Sequence, residues 1–206
     1  MIRTIFFDFG NVLAFFDHGR AVAKFAAFTD VPAVELALAL YAGPVADDYE
    51  CGKISTAEYV RGALANARLS CTDAEFLAAY TDIFWPNPEV ADLIPRLKPR
   101  YRLVLASNTN EAHYLRYTRD FADILAHFDA LAPSHHAAAR KPHPEYFAYA
   151  QRFAAADPGE CLFVDDLAVN VEAAGRFGWN GVLYEPGGTL AEKLRAGGVE
   201  IGAAGP

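Results

Sequence analysis

Short runs of apolar residues recur along this chain, and polar or turn-forming residues follow each run. The first run consists of Ile5, Phe6 and Phe7, and it stops at Asp8 with a glycine two residues later. Apolar runs of this length predict strands buried on both faces, as in a parallel sheet covered by helices. The same pattern predicts further strands at residues 101–106, 130–132, 161–164 and 181–184.

Apolar residues at helical spacing separate the later strands. This spacing predicts helices at residues 89–98, 111–117, 144–155 and 169–177. Alternating strands and helices form parallel sheets with right-handed crossovers, so the predicted fold class is α/β with a doubly wound, Rossmann-like core. The last segment, residues 197–206, is rich in glycine and alanine and is predicted to be frayed.

Residues 17–87 show a different pattern, in which several helices follow one another without a strand between them. They are predicted at residues 20–28, 32–40, 55–67 and 72–80. The last two begin with capping-box sequences, such as Thr72 followed by Glu75. The breaker sequence W-P-N-P at residues 85–88 closes the segment. We therefore expect a core formed by residues 1–16 and 88–206, with a small helical domain at 17–87 inserted after the first strand.

Composition and charge restrict the class of function. The chain has 206 residues and a formal net charge of -8, which argues against a surface that binds nucleic acid or membrane phosphates. The three cysteines are scattered and lack a CxxC spacing, which is typical of a reducing compartment and of neither a disulfide framework nor a zinc site. The sequence shows no pattern of a signal peptide or of a membrane span. We expect a cytoplasmic protein that is a monomer or a homodimer.

Polar residues end three of the predicted strands. Asp8 ends the first, Ser107 and Asn108 follow the second, and the pair Asp165-Asp166 ends the strand at residues 161–164. The carboxyl ends of parallel strands face one crevice, where ligands of such sheets bind. Together with Lys141 in a separate loop, these residues offer carboxylates for a hard cation, and donors with a positive charge for an anion. Mg²⁺ with a phosphate group suits this combination.

These residues resemble the four motifs of the haloacid dehalogenase-like (HAD) hydrolases. Asp8 in F-F-D-F-G-N-V-L is similar to the first motif, and Ser107 in L-A-S-N-T is similar to the second. Lys141 in R-K-P and the Asp165-Asp166 pair in F-V-D-D resemble the third and fourth. The motifs occur in the family's order, and the resemblance covers nearly the whole chain. It implies that the helical insert is the family's cap, which closes over the site.

The resemblance also implies a reaction and a role for each motif residue. Asp8 would be the nucleophile that forms an aspartyl-phosphate, and Ser107 and Lys141 would bind the phosphoryl oxygens. Asn108 would assist in binding substrate. The cofactor implied is Mg²⁺, and its expected ligands are Asp8, the Gly10 carbonyl, Asp165 and Asp166. The expected substrate is a small phosphorylated metabolite.

The sequence departs from the family pattern at Gly10. Phosphatases of the family usually have a second aspartate at this position, which protonates the leaving group. Three interpretations follow: a phosphatase for good leaving groups such as sugar 1-phosphates or acyl phosphates, a metal-independent 2-haloacid dehalogenase, and a non-catalytic binding protein. The first motif resembles a subgroup with D-L-G-N-V that includes sugar-phosphate phosphatases. The pair Asp165-Asp166 favours the phosphatase, because carboxylates beside Asp8 would repel one another without a cation.

Further polar residues are weaker candidates. His18 is a candidate for a substitute general acid, and Asp17 is either a second candidate or the cap of the following helix. Tyr49-Glu50 resembles the part of such caps that contacts substrate. The remaining predictions are a structural role for His113, a solvated loop at residues 135–136, and a choice for Asn170 between supporting the site and lying on a helix face.

Overall fold

The computed structural model describes residues 1–203, and its centre is a five-stranded sheet. Its strands lie in the order β5-β4-β1-β6-β7, and every neighbouring pair is parallel. The five are β1 (Thr4–Phe7), β4 (Arg102–Ser107), β5 (Ala130–Pro133), β6 (Cys161–Asp165) and β7 (Asn180–Leu183). A separate two-stranded antiparallel sheet pairs β2 (Ala14–Phe16) with β3 (Phe84–Pro86). The predicted strands of the parallel sheet are all present, and the α/β fold class is confirmed.

Helices cover both faces of the sheet and fill the segment between β2 and β3. Those between β2 and β3 are α1 (His18–Phe25), α2 (Ala33–Tyr41), α3 (Pro44–Glu50), α4 (Thr56–Asn66) and α5 (Asp73–Thr81). Those after β3 are α6 (Pro88–Ala91), α7 (Ile94–Leu97), α8 (Glu111–Asp120), α9 (Ala122–Leu125), α10 (Ser134–Ala137), α11 (Pro144–Gln151), α12 (Ala168–Phe177) and α13 (Leu190–Ala196).

The register of the sheet brings three strand ends to one edge. Phe7 of β1 pairs with Leu105 of β4 on one side and with Val164 of β6 on the other. Asp8 therefore follows β1 directly beside Asp165, and its backbone N–H donates to the carbonyl of Val164 at 2.9 Å. Phe7, Leu105 and Val164 are buried and apolar, and the polar residues Asp8, Ser107 and Asp165 lie where their strands end.

Helices α1–α5 pack around a hydrophobic cluster of their own. Its largest members include Phe25, Tyr59, Phe76 and Tyr80, which are nearly or fully buried. Both predicted capping boxes are present, at Ser55 and Thr72. A helical insert after the first strand is thus confirmed, while the boundary between two domains at residues 16–17 and 87–88 stays a prediction.

Local details differ from the sequence predictions. The helix predicted at residues 89–98 is two short helices, because Pro95 lacks an N–H and its ring would clash with the carbonyl of Ala91, where α6 ends. Helix α3 is not among the predicted helices, although Pro44 at its first position is typical of helix starts. The pairing of β2 with β3 is not predicted either, since proline usually breaks a strand; an edge strand tolerates Pro86.

The predicted fraying of residues 197–206 is wrong for the part that the structure describes. Val199 is buried in the main core. Arg96 donates its side-chain Nε–H to the carbonyl of Gly202 at 2.9 Å, and the N–H of Gly202 donates back to the carbonyl of Arg96. Residues 204–206 lie outside the described residues, so the prediction is untested there. Along residues 1–203, no helix has the length and apolarity needed to cross a membrane.

Candidate active site

Lys141 is the centre of a buried charge cluster at the carboxyl edge of the sheet. Its Nζ lies 2.8 Å from Asp8 Oδ1 and 2.7 Å from Asp165 Oδ2. It also donates to the carbonyl of Ala106 at 2.9 Å. The side chain of Lys141 is only 1% exposed, so its charge is held between two carboxylates with almost no water. The structure thus brings together strand ends that are far apart in the sequence.

Both carboxylate oxygens of Asp165 accept hydrogen bonds from other groups of the protein. Besides Lys141, it accepts hydrogen bonds from the backbone N–H of Leu167 at 2.9 Å and from the Asn170 amide at 3.0 Å. Asn170 is buried, and its amide contacts both oxygens of Asp165. These partners hold Asp165 in one orientation, and Asp165 in turn orients Lys141.

Asp8 is in an environment that disfavours its charge. Burial raises the pKa of Asp8, Lys141 lowers it, and the nearby Asp165 and Asp166 raise it further, to about 7. Burial lowers the pKa of Lys141, but Asp165 and Asp8 outweigh that effect and raise it overall. The hydrogen bonds that Asp8 accepts from Phe9 N–H, at 2.7 Å, and from Lys141 both fall on Oδ1. Oδ2 is therefore the oxygen left for chemistry.

Three carboxylates form a group that could hold a metal ion. One oxygen from each of Asp8, Asp165 and Asp166 lies within 4.8 Å of the others. Asn11 donates to Asp166 Oδ2 at 3.2 Å and so orients it toward the group. Three carboxylates against one lysine leave an excess of negative charge, which a divalent cation with oxygen ligands would neutralise. The donor set fits a hard cation.

The environment of Gly10 explains how the chain accommodates the missing aspartate. A Cβ on Gly10 would lie 2.8 Å from Cε1 of the Phe16 ring. Such a distance is too short for carbon atoms in contact, which sit about 3.5–4.0 Å apart. Phe16 therefore occupies the space that a side chain at position 10 would need. No carboxylate can be added there without moving the ring.

A small cavity lies beside this cluster. It has a volume of about 80 Å³ and is lined by Gly10, Ser107 and Thr109 on the sheet side, and by His18 and Glu50 from the helical insert. Ser107 is buried at the end of β4, and the one hydrogen bond of its side-chain hydroxyl among residues 1–203 is a long one of 3.4 Å to the carbonyl of Asn108. Its hydroxyl is available for a ligand.

Asn108 lies at the cavity but uses its side chain within the protein. Its Oδ1 accepts from the backbone N–H of Lys141 at 2.8 Å, and its Nδ2 donates to the Lys141 carbonyl at 3.0 Å. This pair of hydrogen bonds fixes the backbone that carries Lys141. The structure thus places Asn108 as a positioning residue, and the predicted contact with substrate stays a prediction.

The two candidates for a substitute general acid, Asp17 and His18, lie in different surroundings. Asp17 caps α1 by accepting from Gly19 N–H at 2.7 Å, as the capping alternative predicted. The ring of His18 stacks on Tyr41 at 3.7 Å, and burial lowers the pKa of His18 to about 4, so the ring is neutral near pH 7. A neutral ring is a poor proton donor, and the role of His18 as an acid stays a prediction.

His113 is buried and structural, as predicted. Its Nε2 lies 3.0 Å from the Tyr80 carbonyl, and its Nδ1 lies 3.1 Å from the Asn110 amide. Residues 135–136 lie in the short helix α10 and not in the predicted loop. His136 is exposed, as predicted, while His135 is half-buried and hydrogen-bonds to the Thr109 carbonyl.

One contact between the third-motif loop and the helical insert was not predicted from the sequence. Arg140, which precedes Lys141, forms ion pairs with Asp47 and with Glu50 of helix α3, the latter at 3.2 Å. The only sequence signal was its position beside Lys141. The contact joins the loop of the third motif to the helical insert.

The motif residues, the sheet and the helical insert together define a known class of enzyme. A family model for haloacid dehalogenase-like hydrolases matches residues 2–178. The chain belongs to this family, and it is a HAD-like hydrolase. The family prediction from the motifs is confirmed.

Individual relatives cover nearly the whole chain. A D-ribitol-5-phosphate phosphatase from Bacteroides thetaiotaomicron is 26% identical over 203 residues, which cover 94% of this chain and 97% of the relative. A predicted HAD-like hydrolase from Porphyromonas gingivalis has a similar structure, with a TM-score of 0.81, 25% identity, and 95% and 98% of the two chains covered.

Two further solved structures share the fold. A HAD family enzyme from Bacteroides thetaiotaomicron, in complex with magnesium and inorganic phosphate, superposes with a TM-score of 0.79 at 24% identity, covering 91% of this chain and 96% of that one. An L-2-haloacid dehalogenase from Xanthobacter autotrophicus gives a TM-score of 0.64 at 20% identity, with 97% and 85% covered.

Proposed function

We propose that this hydrolase is a Mg²⁺-dependent phosphatase that cleaves small phosphorylated metabolites through an aspartyl-phosphate on Asp8. The observation that carries the proposal is the cluster around Lys141, in which Asp8 keeps one oxygen free beside Asp165 and Asp166. The name of the relative from Bacteroides thetaiotaomicron supports the phosphatase class. Phosphoryl transfer asks a protein mainly for positioning and charge neutralisation, which this cluster supplies.

In the first step, Asp8 attacks phosphorus through Oδ2. A bond forms between that oxygen and phosphorus, and the bond from phosphorus to the alcohol oxygen breaks. The alcohol leaves as an alkoxide that takes a proton from water, since position 10 supplies no acid. In the second step, water attacks phosphorus, which releases phosphate and regenerates the Asp8 carboxylate. The hydrogen bonds from Phe9 N–H and Lys141 to Oδ1 hold the carboxylate in one orientation during both steps.

Asp8, Asp166 and the Gly10 carbonyl would hold Mg²⁺. The ion would neutralise the phosphoryl oxygens and the charge of the carboxylates. Asp165 belongs to the same group, but its oxygens already accept from Lys141, Leu167 and Asn170. We assign it to the support of the metal site and of Lys141. Ser107 and Lys141 would bind the phosphoryl oxygens, with Asn108 fixing the Lys141 backbone.

The leaving group sets the choice of substrate. With no side chain at Gly10, the enzyme lacks the general acid expected there, an effect typically worth about 10²–10⁴-fold. Sugar 1-phosphates and acyl phosphates, which leave without much protonation, therefore fit the site best. Sugar-alcohol phosphates are the second group to test, because the relative from Bacteroides thetaiotaomicron is named for one.

The dehalogenase and the binding-protein interpretations have less support. The likeness to the haloacid dehalogenase reflects the shared fold. A metal-independent enzyme would also have to tolerate three unneutralised carboxylates around one lysine. A cap role for residues 17–87, a cytoplasmic location and a state as monomer or homodimer complete the proposal, and each stays a prediction.

The experiment is the hydrolysis of p-nitrophenyl phosphate with Mg²⁺, with EDTA, and by Asp8→Asn. Nitrophenolate needs almost no protonation when it leaves, so the missing acid at Gly10 cannot mask activity. We expect turnover that requires the metal and that falls by at least about 10³-fold in Asp8→Asn, since the nucleophile is removed.

Asp30→Asn is the matched control, because Asp30 is exposed in the loop before α2; its rate should equal that of the unmodified protein. Turnover that persists in EDTA, or in Asp8→Asn, would contradict the proposal. Halide release from 2-chloropropionate in EDTA, with no phosphatase activity, would establish the dehalogenase in its place.

A further inference from the structure

Tyr117 is a buried tyrosine of helix α8 that the proposed reaction does not use. The residue is 1% exposed, and among residues 1–203 its hydroxyl oxygen has no hydrogen-bond partner. A buried polar group without a partner is costly, and a phenylalanine would fill the same space without that cost. The hydroxyl of Tyr117 therefore retains its full capacity to donate and to accept a hydrogen bond.

Aromatic packing fixes the ring of Tyr117 behind Asp8. The ring stacks on Phe9 with the two centroids 4.0 Å apart, and the ring of Phe84 meets it edge-on at 6.1 Å. Phe9 follows Asp8 directly, and its N–H donates to Asp8 Oδ1 at 2.7 Å. Tyr117 is not among the residues that line the small cavity. It can therefore act on the reaction only through the residues that it touches.

The register of the sheet places Ser107 beside the Tyr117 ring. Phe7 of β1 pairs with Leu105 of β4. Two residues beyond this pair, Phe9 lies level with Ser107, because paired strands advance by the same rise per residue. Tyr117 stacks on Phe9, so its ring lies close to the end of β4.

The surroundings of the Tyr117 hydroxyl agree with this placement. Burial raises the pKa of Tyr117 most strongly, and Tyr114 and Asp8 raise it too, whereas the hydroxyls of Ser107 and Thr109 lower it. A neutral hydroxyl has this effect because it can donate to the phenol oxygen, which requires close approach. The phenol oxygen therefore lies next to the Ser107 hydroxyl, although no hydrogen bond of acceptable geometry joins the two.

The Ser107 hydroxyl has capacity for a ligand and a protein partner at the same time. A serine hydroxyl donates one hydrogen bond and accepts two. Its donation to the carbonyl of Asn108 is long, at 3.4 Å, and is easily exchanged for a better acceptor. In the proposed reaction that acceptor is a phosphoryl oxygen. The Ser107 oxygen can then accept a hydrogen bond from Tyr117.

We infer that Tyr117 is a positioning residue, whose hydroxyl donates to Ser107 Oγ while Ser107 donates to the phosphoryl group. This inference rests on the proposed phosphatase function. Hydrogen bonds in a chain polarise one another, so Ser107 donates more strongly when Tyr117 donates to it. The gain is largest in the transition state, where charge is spread over the phosphoryl oxygens. Tyr117 thus assists turnover without touching the substrate.

Tyr117→Phe tests the inference, because it removes the hydroxyl and keeps the ring. With p-nitrophenyl phosphate and Mg²⁺, kcat should fall by about 3–10-fold, which corresponds to one neutral hydrogen bond, and KM should change by less than about twofold. The urea midpoint should stay the same or rise, since the variant loses no hydrogen bond among residues 1–203 and buries one polar group fewer. A merely structural role does not lower the rate while the midpoint is maintained.

Tyr146→Phe is the matched control for the loss of a buried hydroxyl. Tyr146 is fully buried as well, but its hydroxyl donates to the carbonyl of Ala132 at 2.6 Å. Removing this hydroxyl should lower the urea midpoint and should leave kcat within about twofold of the original. This is the opposite of the result expected for Tyr117→Phe.

A double-mutant cycle with Ser107→Ala shows whether Tyr117 acts through Ser107. In the Ser107→Ala background, Tyr117→Phe should change the rate by less than about twofold, because the group that receives the hydrogen bond is already gone. Initial rates of the four proteins on p-nitrophenyl phosphate measure the cycle.

Equal losses from Tyr117→Phe in both backgrounds would overturn the inference, and so would a rate loss that comes with a lower urea midpoint. An unchanged kcat in Tyr117→Phe, with an active unmodified enzyme, would overturn the inference and leave the proposed function intact. An unmodified enzyme that does not hydrolyse p-nitrophenyl phosphate with Mg²⁺ would overturn the proposed function, and the inference with it.

Discussion

The sheet side and the helical side of the cavity use their polar groups in opposite ways. On the sheet side, Lys141 contacts two carboxylates and a carbonyl, and Asp165 accepts from three different groups. On the helical side, His18 is held by ring stacking alone and Glu50 has a single cationic neighbour.

We expect this difference to separate chemistry from recognition. The catalytic charges must keep one geometry, so each is held by several protein partners. Groups that recognise a substrate need capacity that the protein leaves unused. The charges on the sheet side should therefore affect turnover and stability strongly when altered, while those on the helical side should affect the choice of substrate.

Lys141→Met should have the largest effect on stability and turnover. It removes the cation between two buried carboxylates, and breaking such a pair costs about 3–5 kcal/mol of unfolding free energy. Turnover of p-nitrophenyl phosphate should fall by at least 10²–10³-fold, on the order of the loss of one transition-state donor. Urea unfolding and initial rates measure the two effects. Full activity in a stable Lys141→Met protein would contradict the strong effect expected for charges on the sheet side.

Asp8→Asn should stabilise the protein when no divalent cation is present. The pKa of Asp8 is raised to about 7 in the folded state, against about 4 when unfolded. The folded state therefore binds more protons between these values, and the free energy of unfolding falls as the pH rises from about 4 to 7. At pH 8 the variant should be more stable by about 2–4 kcal/mol, since one pKa unit is worth about 1.4 kcal/mol.

The stabilisation should vanish near pH 4 and should be reversed by Mg²⁺, which binds only the unmodified site. Urea unfolding of both proteins at pH 4.5 and pH 8, with EDTA and with Mg²⁺, measures these changes. An Asp8→Asn protein that is less stable than the original at pH 8 in EDTA would show that Asp8 is not disfavoured by its surroundings.

Gly10→Asp tests the close contact between position 10 and the ring of Phe16. The new side chain would strike the ring of Phe16, and overpacking of this kind costs about 1–3 kcal/mol. Adding Phe16→Ala should recover most of that stability. The double variant should also raise the rate on alkyl phosphates relative to p-nitrophenyl phosphate by about 10-fold or more, since it supplies a general acid. Thermal unfolding and the ratio of the two rates provide the measurements.

Arg140→Met should have the smallest effect, although its position adjoins Lys141. The Arg140 side chain is 33% exposed, and ion pairs with this access to water contribute about 0–1 kcal/mol. The free energy of unfolding, measured with urea, should therefore change by less than about 1 kcal/mol. Turnover of p-nitrophenyl phosphate should change by less than about threefold. A loss of stability or turnover as large as that of Lys141→Met would contradict the difference between the sheet side and the helical side.

The sequence was most informative where local pattern and chemistry coincide. The apolar runs that end at Asp8, Ser107 and Asp165 predicted the parallel strands, and parallel strands place their carboxyl ends at one edge. The four motifs then predicted the family. Capping boxes at Ser55 and Thr72 gave the starts of two helices.

What the sequence could not give depends on contacts between distant segments. Nothing near Gly10 in the chain indicates that the Phe16 ring fills the space beside it. The sequence indicates Glu50 only through the resemblance of Tyr49-Glu50 to the part of such caps that contacts substrate. Its pairing with Arg140 follows from how α3 packs on the core. Asp165 and Asp166 look alike in sequence, yet hydrogen bonds from Leu167 and Asn170 distinguish Asp165.

The central claim is that Asp8 carries the phosphoryl group during turnover. The direct measurement is peptide mass spectrometry of enzyme quenched in acid during hydrolysis of p-nitrophenyl phosphate with Mg²⁺. We predict that the peptide containing Asp8 gains the mass of one phosphoryl group, and that EDTA or Asp8→Asn abolishes the gain. Phosphoryl mass on a different residue, or steady phosphate release with no modified Asp8 at any quench time, would contradict the account.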